Sequence, residues 1–487
     1  MKMTLMDGKA YKDSLRDLKL NAYAFGKKID NPLEHELTAP AIEAVAMTYD
    51  LALDESYQDK ITTVSPLTGE RINRLTHVYQ NAEDLIKRFE LMRDLARRNG
   101  MCVGARCVSG NILSALHTVT KTMQDKKGLP YHERLLSYLH KIQDEDLAVA
   151  GCITDPKGDR SKRASEQEDP DMYLRIVEKK KEGLIVRGAK FQISGATIAH
   201  ELICMPTTAF RENESSYAVA FSLPADTRGI TYLHGAPAPD FRRFLGKESD
   251  LGNPRYGVYN LAHIFFEDVL VPWERVFMCG EAEFTHPLVS QTSPTFRCVT
   301  TSCKCGHRDL LLGGAALIAE YNGVGKASHI SQKLEEMLYE GELAWGCIVA
   351  AATMGTHSPS GSFYPNALLA NVAKRHGTVA LWDVARMAVD ISGGLIMTSP
   401  SENDMANPDL GAFIKKYMKA SPNIRTEDRL KMMRLMEYLT GIGCILVAES
   451  TQGGAPVVVQ QMIIKGELGK RLEEYKKRVL NLANILQ

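Results

Sequence analysis

Three stretches of this chain carry side chains suited to hold an anion or the edge of a polar ring. Thr154-Asp155-Pro156-Lys157-Gly158-Asp159-Arg160 offers a hydroxyl, a turn with free backbone N–H groups and a guanidinium, a donor set that suits phosphate. Gln192, Ser194 and Gly195 follow a strand-like run and present further donors. Gly393-Gly394, followed by Thr398 and Ser401, lets backbone approach a phosphate closely. Taken singly, each also reads as an ordinary turn. The ten cysteines stand at 102, 107, 152, 204, 279, 298, 303, 305, 347 and 444. They are too dilute for a disulfide scaffold, and buried reduced thiols are their ordinary state. Two groups are near enough in sequence to test as ligand sets: Cys102 with Cys107, and Cys298 with Cys303 and Cys305.

Such side chains need elements to position them. The first 150 residues read as helices; Ala82 to Met92 places apolar residues at three- and four-residue spacing behind Asn81, a predicted N-cap. The texture changes at the charged, turn-rich run from Asp155 to Arg160. From there to about residue 280, short runs such as Leu184 to Arg187, Tyr217 to Phe221 and His263 to Phe266 predict strands. After Val271 to Arg275 the chain reads as helical to Gln487, with breaks at Thr356 to Gly361, Ser399 to Ser401 and Gly453 to Pro456. The charged, amphipathic segment from Leu468 onward predicts a surface or subunit-contact helix. Three domains follow: 1–150, 151–283 and 284–487.

The 487 residues and 54.0 kDa exceed one ordinary hydrophobic core. With 59 Lys+Arg against 59 Asp+Glu, charge makes no case for nucleic acid or an anionic membrane. No apolar run approaches the roughly 18 residues that span a bilayer. The start turns polar at Asp7-Gly8-Lys9, too early for a signal peptide. A soluble, cytoplasmic protein is expected.

Several ordered motifs carry a resemblance. They are Ala24-Phe25-Gly26-Lys27-Lys28-Ile29, Val45-Ala46-Met47-Thr48-Tyr49-Asp50, Thr154 through Arg160, Asp169-Pro170-Asp171 with Leu174 through Lys179, and Val186-Arg187-Gly188-Ala189-Lys190. Ala319-Glu320-Tyr321-Asn322-Gly323, Lys326-Ala327-Ser328-His329 and Gly393-Gly394-Leu395 continue the series. Together they resemble the family that joins 4-hydroxybutyryl-CoA dehydratase (vinylacetyl-CoA isomerase) with the 4-hydroxyphenylacetate 3-hydroxylases, on the dehydratase side. The resemblance implies an α+β, acyl-CoA dehydrogenase-like fold: an N-terminal helical domain, a middle β-barrel domain covering a flavin, and a C-terminal helical bundle. It also implies FAD, a homotetramer and a small-molecule substrate, a CoA thioester. The FAD-binding residues would be Thr154, Asp155, Lys157, Asp159, Arg160, Gln192, Ser194, Gly195, Gly393, Gly394, Thr398 and Ser401. Glu449 matches the family carboxylate that faces the flavin, and desolvation there would suit it to accept a weakly acidic C–H proton.

The chain also departs from the family. The dehydratase's iron–sulfur cluster is held by three Cys and one His. One ligand position falls on Cys107, but its partner four residues earlier is Val103, with Cys102 shifted by one. On a helix, residues four apart differ by about 40° and share a face, whereas residues five apart differ by about 140°. Another ligand position falls on Cys303, while the His position falls on Phe296 and a catalytic Tyr position on Thr300. No metal site is therefore expected, and Cys102, Cys107, Cys298 and Cys303 would line an apolar pocket; the alternative is a cluster rebuilt on these four thiols. The hydroxylase His falls on Gly151, and a dehydratase carboxylate falls near Leu261, beside Tyr259 and Asn260. Tyr259 becomes the second catalytic candidate after Glu449. His329 reads as a structural histidine, and Lys179-Lys180-Lys181 as a solvated hairpin tip. The expected function is FAD-dependent chemistry on the CH–CH region of an acyl-CoA, without the cluster. The alternatives are a two-component phenol monooxygenase and a flavin binder that has lost catalysis.

Overall fold

The computed structural model describes residues 5–235, 242–441, 446 and 457–483. Helices dominate the first part: Gly8–Leu15, Ala39–Leu53, Ala82–Asn99, Ser109–Lys127 and Tyr131–Asp144. The predicted cap at Asn81 forms, its side-chain oxygen accepting from the Asp84 N–H and satisfying an otherwise orphaned donor. The same helix ends at Gly100, whose φ of +59° makes the left-handed stop that glycine adopts readily.

The middle of the chain forms two sheets. The first has six strands in the order Lys27–Lys28, Ala22–Ala24, Ile230–His234, Leu261–Pro272, Gly183–Ser194, Arg175–Lys179. The second has four: Val276–Cys279, Val219–Pro224, Glu201–Cys204, Val149–Cys152. The expected barrel does not close; among the described residues both sheets are open. Closure needs the two outer strands to pair, and the edges of the larger sheet are the exposed Lys27–Lys28 and the charged end of Arg175–Lys179. Charged edges of this kind resist further strand addition. The two strands before residue 30 were not legible as strands, because elements of two and three residues are too short to show a period of two. Lys179-Lys180-Lys181 does form an exposed hairpin tip, with the Lys180 N–H bonded to the Gly183 carbonyl.

The C-terminal part is again helical. The 37-residue helix Thr285–Tyr321 runs through its centre, packed by Ala82–Asn99, Ser328–Thr353, Ala367–Ser392 and Thr426–Thr440. Two expected breaks hold: Thr356–His357 pairs with Phe363–Tyr364 as a small hairpin, and Ser399 to Ser401 separates two short helices. The break at Gly453 to Pro456 lies outside the described residues.

Candidate active site

The site is built where the middle sheets meet the helices. Strand Gly183–Ser194 is irregular against Leu261–Pro272: the register slips between Ala262 and Ile264, so Phe191 and Gln192 together oppose His263. Gln192 takes a left-handed φ of +58° there and its side chain is exposed. A bulge of this kind re-aims side chains out of the sheet. Three residues later Gly195, at φ +74°, donates its N–H to the Asn260 carbonyl. A Cβ on Gly195 would stand 2.1 Å from the Ala105 nitrogen, and one on Gly104 would stand 2.9 Å from the Gly195 nitrogen. The 104–106 turn, between Cys102 and Cys107, is thus pressed backbone to backbone on the end of the strand. Ser194, Gly195, Tyr259 and the cysteine segment come together here.

Behind this contact sits a buried ion pair. The Arg106 guanidinium donates to the Asp146 carboxylate and lies 3.7 Å from the Tyr49 ring centre, with Tyr11 stacked on Tyr49. Arg106 and Asp146 are both buried. Burial pushes the Asp146 carboxyl up, and Arg106 pulls it back down. Tyr259 packs with Met101, Tyr438, Leu439 and Leu446 in one apolar cluster, against which Cys102 and Leu261 are partly buried. The Tyr438 hydroxyl ties this cluster to the Gly100 carbonyl at 3.0 Å.

The turn from Thr154 to Arg160 leaves strand Val149–Cys152 and is anchored to the neighbouring strand by the Phe191 N–H, which donates to the Thr154 carbonyl at 2.7 Å. Its residues divide sharply. Asp155 is buried and paired with Lys190 at 2.7 Å, whose ammonium also donates to the Ile153 and Met205 carbonyls. Asp159 accepts from the Ser161 N–H and hydroxyl. Lys157 and Arg160 are exposed and have no ion-pair or side-chain hydrogen-bond partner among the described residues. Crowding by protein pushes the Lys157 ammonium pKa down, Asp155 opposes this, and the Lys190 and Arg160 cations add to it. Nearby cations are satisfied: Arg163 on Glu214, and Arg175 and Arg187 on Asp171. The staple of the turn is Gln167, which accepts from the Asp159 N–H and donates to the Asp159 and Lys162 carbonyls. Gly158, at φ +49°, has Gln167 and Met172 where a Cβ would be. Sequence reading missed Gln167; Gly158 beside a polar turn was the available signal.

Gly393, Gly394 and Thr398 are exposed, with open space around both glycines. Ser401 caps Glu402–Ala406 through Asp404, and the Glu402 N–H donates to Asp250. This stretch packs on Thr426–Thr440. Glu449 lies outside the described residues. His329 is exposed at the start of its helix.

Helix Thr285–Tyr321 holds more polar side chains than its position in the core led one to expect. Arg297, Thr300, Thr301, Lys304, His307 and Arg308 are all buried and recur every three or four residues, so they form a stripe along the helix. Burial pushes the Arg297 pKa down to about 10. That periodicity was readable in the sequence and was overlooked in favour of Cys298 and Cys303. Both thiols are buried, and burial pushes Cys298 well up. Among the described residues no three His, Cys, Asp or Glu side chains form a group able to hold a metal ion.

The 4-hydroxyphenylacetate 3-hydroxylase family models match this chain in two blocks, the N-terminal one over residues 7–278 and the C-terminal one over 286–484. The chain belongs to that family. It is 38% identical to the 4-hydroxybutyryl-CoA dehydratase/vinylacetyl-CoA-Delta-isomerase of Clostridium aminobutyricum, over 94% of this chain and 96% of that one. It is 25% identical to the oxygenase component of 4-hydroxyphenylacetate 3-monooxygenase from Thermus thermophilus, over 89% and 88%. Among solved structures, an oxygen-tolerant archaeal 4-hydroxybutyryl-CoA dehydratase from N. maritimus superimposes with a TM-score of 0.95 at 36% identity, covering 99% of this chain and 96% of that one. An FAD complex of the 4-hydroxyphenylacetate 3-monooxygenase oxygenase component shares the fold, with a TM-score of 0.83 at 22% identity, covering 98% and 99%. The relatives in the family are enzymes. No described helix is long and apolar enough to cross a membrane.

Proposed function

We propose that the chain is an FAD-dependent enzyme acting on the CH–CH region of an acyl-CoA thioester. The observation that carries this is the 38% identity to the Clostridium dehydratase/isomerase along nearly the whole of both chains. The donor chemistry fits the cofactor. Lys157 and Arg160, accessible and without ion-pair partners among the described residues, suit the phosphates of FAD, and Gln192, Ser194 and Gly195 suit its ring edge. Gly393, Gly394, Thr398 and Ser401 belong to the same assignment. When bound, FAD supplies acceptance of a hydride or an electron from the substrate's β carbon. The chain supplies position and proton transfer. Glu449 takes the proton from the carbon beside the thioester carbonyl, and Tyr259, in its apolar cluster, is the second candidate to hold a proton near that carbon.

We assign the chain no iron–sulfur cluster, because Val103 and Phe296 stand where the family's ligands would be. Double-bond migration or oxidation is then favoured over dehydration of an unactivated hydroxyl. The division into domains 1–150, 151–283 and 284–487 on the acyl-CoA dehydrogenase plan, and a homotetramer, complete the assignment.

The test starts from anaerobically purified protein: a flavin spectrum, iron and acid-labile sulfide assays, and α-deuterium exchange on short-chain acyl-CoA thioesters. FAD without iron, and exchange that Glu449→Gln slows by about 100-fold or more while FAD stays bound, is the expected result. Exchange that proceeds equally fast in Glu449→Gln removes Glu449 as the base. Four irons per chain, lost in Cys107→Ala, would show a cluster rebuilt on the thiols. Consumption of O2 with a flavin reductase and a phenol, in place of exchange, would replace the acyl-CoA assignment by phenol hydroxylation.

A further inference from the structure

The helix Val457–Leu482 packs on Ala367–Ser392, with Ile463 and Ile464 half-buried. From Leu468 to Val479 every side chain is exposed. Along this length Leu468, Leu472, Tyr475, Val479 and Leu482 alternate in spacings of four and three residues, and they are 39% to 85% exposed. That spacing is the a/d seam of a coiled coil, running about 21 Å at the helical rise. An isolated helix of this length is marginal in water. A helical arm with a bare apolar seam therefore calls for a surface to lie on.

Charge decides which surface. From Val457 to Leu482 the helix carries Lys465, Lys470, Arg471, Lys476, Lys477 and Arg478 against Glu467, Glu473 and Glu474, a net +3. In heptad register Arg471, Lys476 and Arg478 flank the seam, so two such helices side by side would oppose like charges. The complement lies on Ser328–Thr353. Leu338, Tyr339 and Leu343 are 42% to 57% exposed on that helix, bordered by exposed Glu335, Glu336 and Glu342. Its basic and acidic residues are Lys333 against Glu335, Glu336, Glu340 and Glu342, a formal net of −3. Glu335 and Glu336 have no cationic partner among the described residues.

We propose that the seam of Val457–Leu482 docks on the acidic, apolar face of Ser328–Thr353 in a second copy of this chain. In its own chain the arm lies on Ala367–Ser392 and leaves that face open. The contact rests on the association of copies proposed above and identifies the surfaces that make it. It joins an apolar stripe to an apolar patch and brings three flanking cations to a row of carboxylates.

Size-exclusion chromatography with light scattering on the full chain tests it. Wild type is expected at a multiple of 54.0 kDa. Leu472→Glu with Tyr475→Glu should fall to half that mass or less, with an unchanged far-UV spectrum because both side chains are exposed. Glu335→Lys with Glu336→Lys should do the same, and adding Arg471→Glu with Lys476→Glu to that pair should restore the wild-type mass. A monomeric wild type overturns the association itself. An oligomer that survives both variant pairs overturns this contact alone. Dissociation by the seam variants, with no effect of the acidic-face pair, overturns Ser328–Thr353 as the docking surface.

Discussion

Gly195→Ala is the sharpest probe of how the candidate site is assembled. At φ +74° an L-residue pays about 1–2 kcal/mol for the left-handed conformation. The added methyl would meet the Ala105 nitrogen at 2.1 Å and the Ala105 Cα at 2.6 Å, where ordinary contact begins at 3.4 Å. The 104–106 turn must therefore retreat by about 1.3 Å, the difference between 3.4 and 2.1 Å. Arg106 resists that retreat, because it is held in the turn by Asp146 and Tyr49. Forced overpacking of this kind costs about 1–3 kcal/mol, which brings the whole to about 2–5 kcal/mol and, at about 1 °C per kcal/mol for a chain of this length, a melting temperature lower by roughly 2–5 °C. Gly26→Ala isolates the steric part: its φ is +75°, yet nothing lies within 4 Å of its Cβ position. Thermal melts of both variants, with bound flavin measured after desalting, make the assay. Gly195→Ala should melt below Gly26→Ala, by about 1–3 °C, and keep less flavin. Equal melting of the two would refute a tight turn-to-strand contact.

Arg160→Ala should weaken FAD binding by about 1.5–3 kcal/mol through loss of a charged hydrogen bond, read by titrating apo-protein, with little change in melting because the side chain is exposed. Arg106→Met strands the buried Asp146 carboxylate and should cost about 3–5 kcal/mol in urea unfolding, part of it recovered by adding Asp146→Asn, which removes the charge and tolerates the left-handed φ of +46° at that position. Burial holds His117 and His200 neutral, with pKa values down at about 4. Their folded forms bind fewer protons than the unfolded chain between the ordinary value of 6.5 and about 4. Their contribution is therefore intact above pH 6.5 and is lost as pH falls toward 4, by up to about 3 kcal/mol each. Melting curves between pH 7 and 4 should show this acid limb, flatter in His117→Gln.

Asn81, the 154–160 turn and the hairpin tip at Lys179 to Lys181 were all legible in the sequence, because each depends on neighbours within a few residues. A capping side chain reaches two or three positions along the chain. Ordered motifs spread over most of the chain likewise pointed to the family, since each fixes local chemistry independently of the others. The sequence by itself thus determined the helical–sheet–helical order, the family and a set of anion-suited turns.

Partners far apart in the chain were decided only by the tertiary structure. Strands Ala22–Ala24 and Lys27–Lys28 exist because Ile230–His234 offers them an edge, some 200 residues on. Asp155 and Arg160 look alike as polar residues of one turn. Folding buries the first on Lys190 and leaves the second open to a ligand. Gly195 owes its indispensability to Ala105, 90 positions earlier, and the buried cations of Thr285–Tyr321 are defined by the helices packed around them. Local propensity acts along a turn or two of chain, whereas close packing and the cost of unpaired buried charge act between whatever surfaces the fold brings into contact.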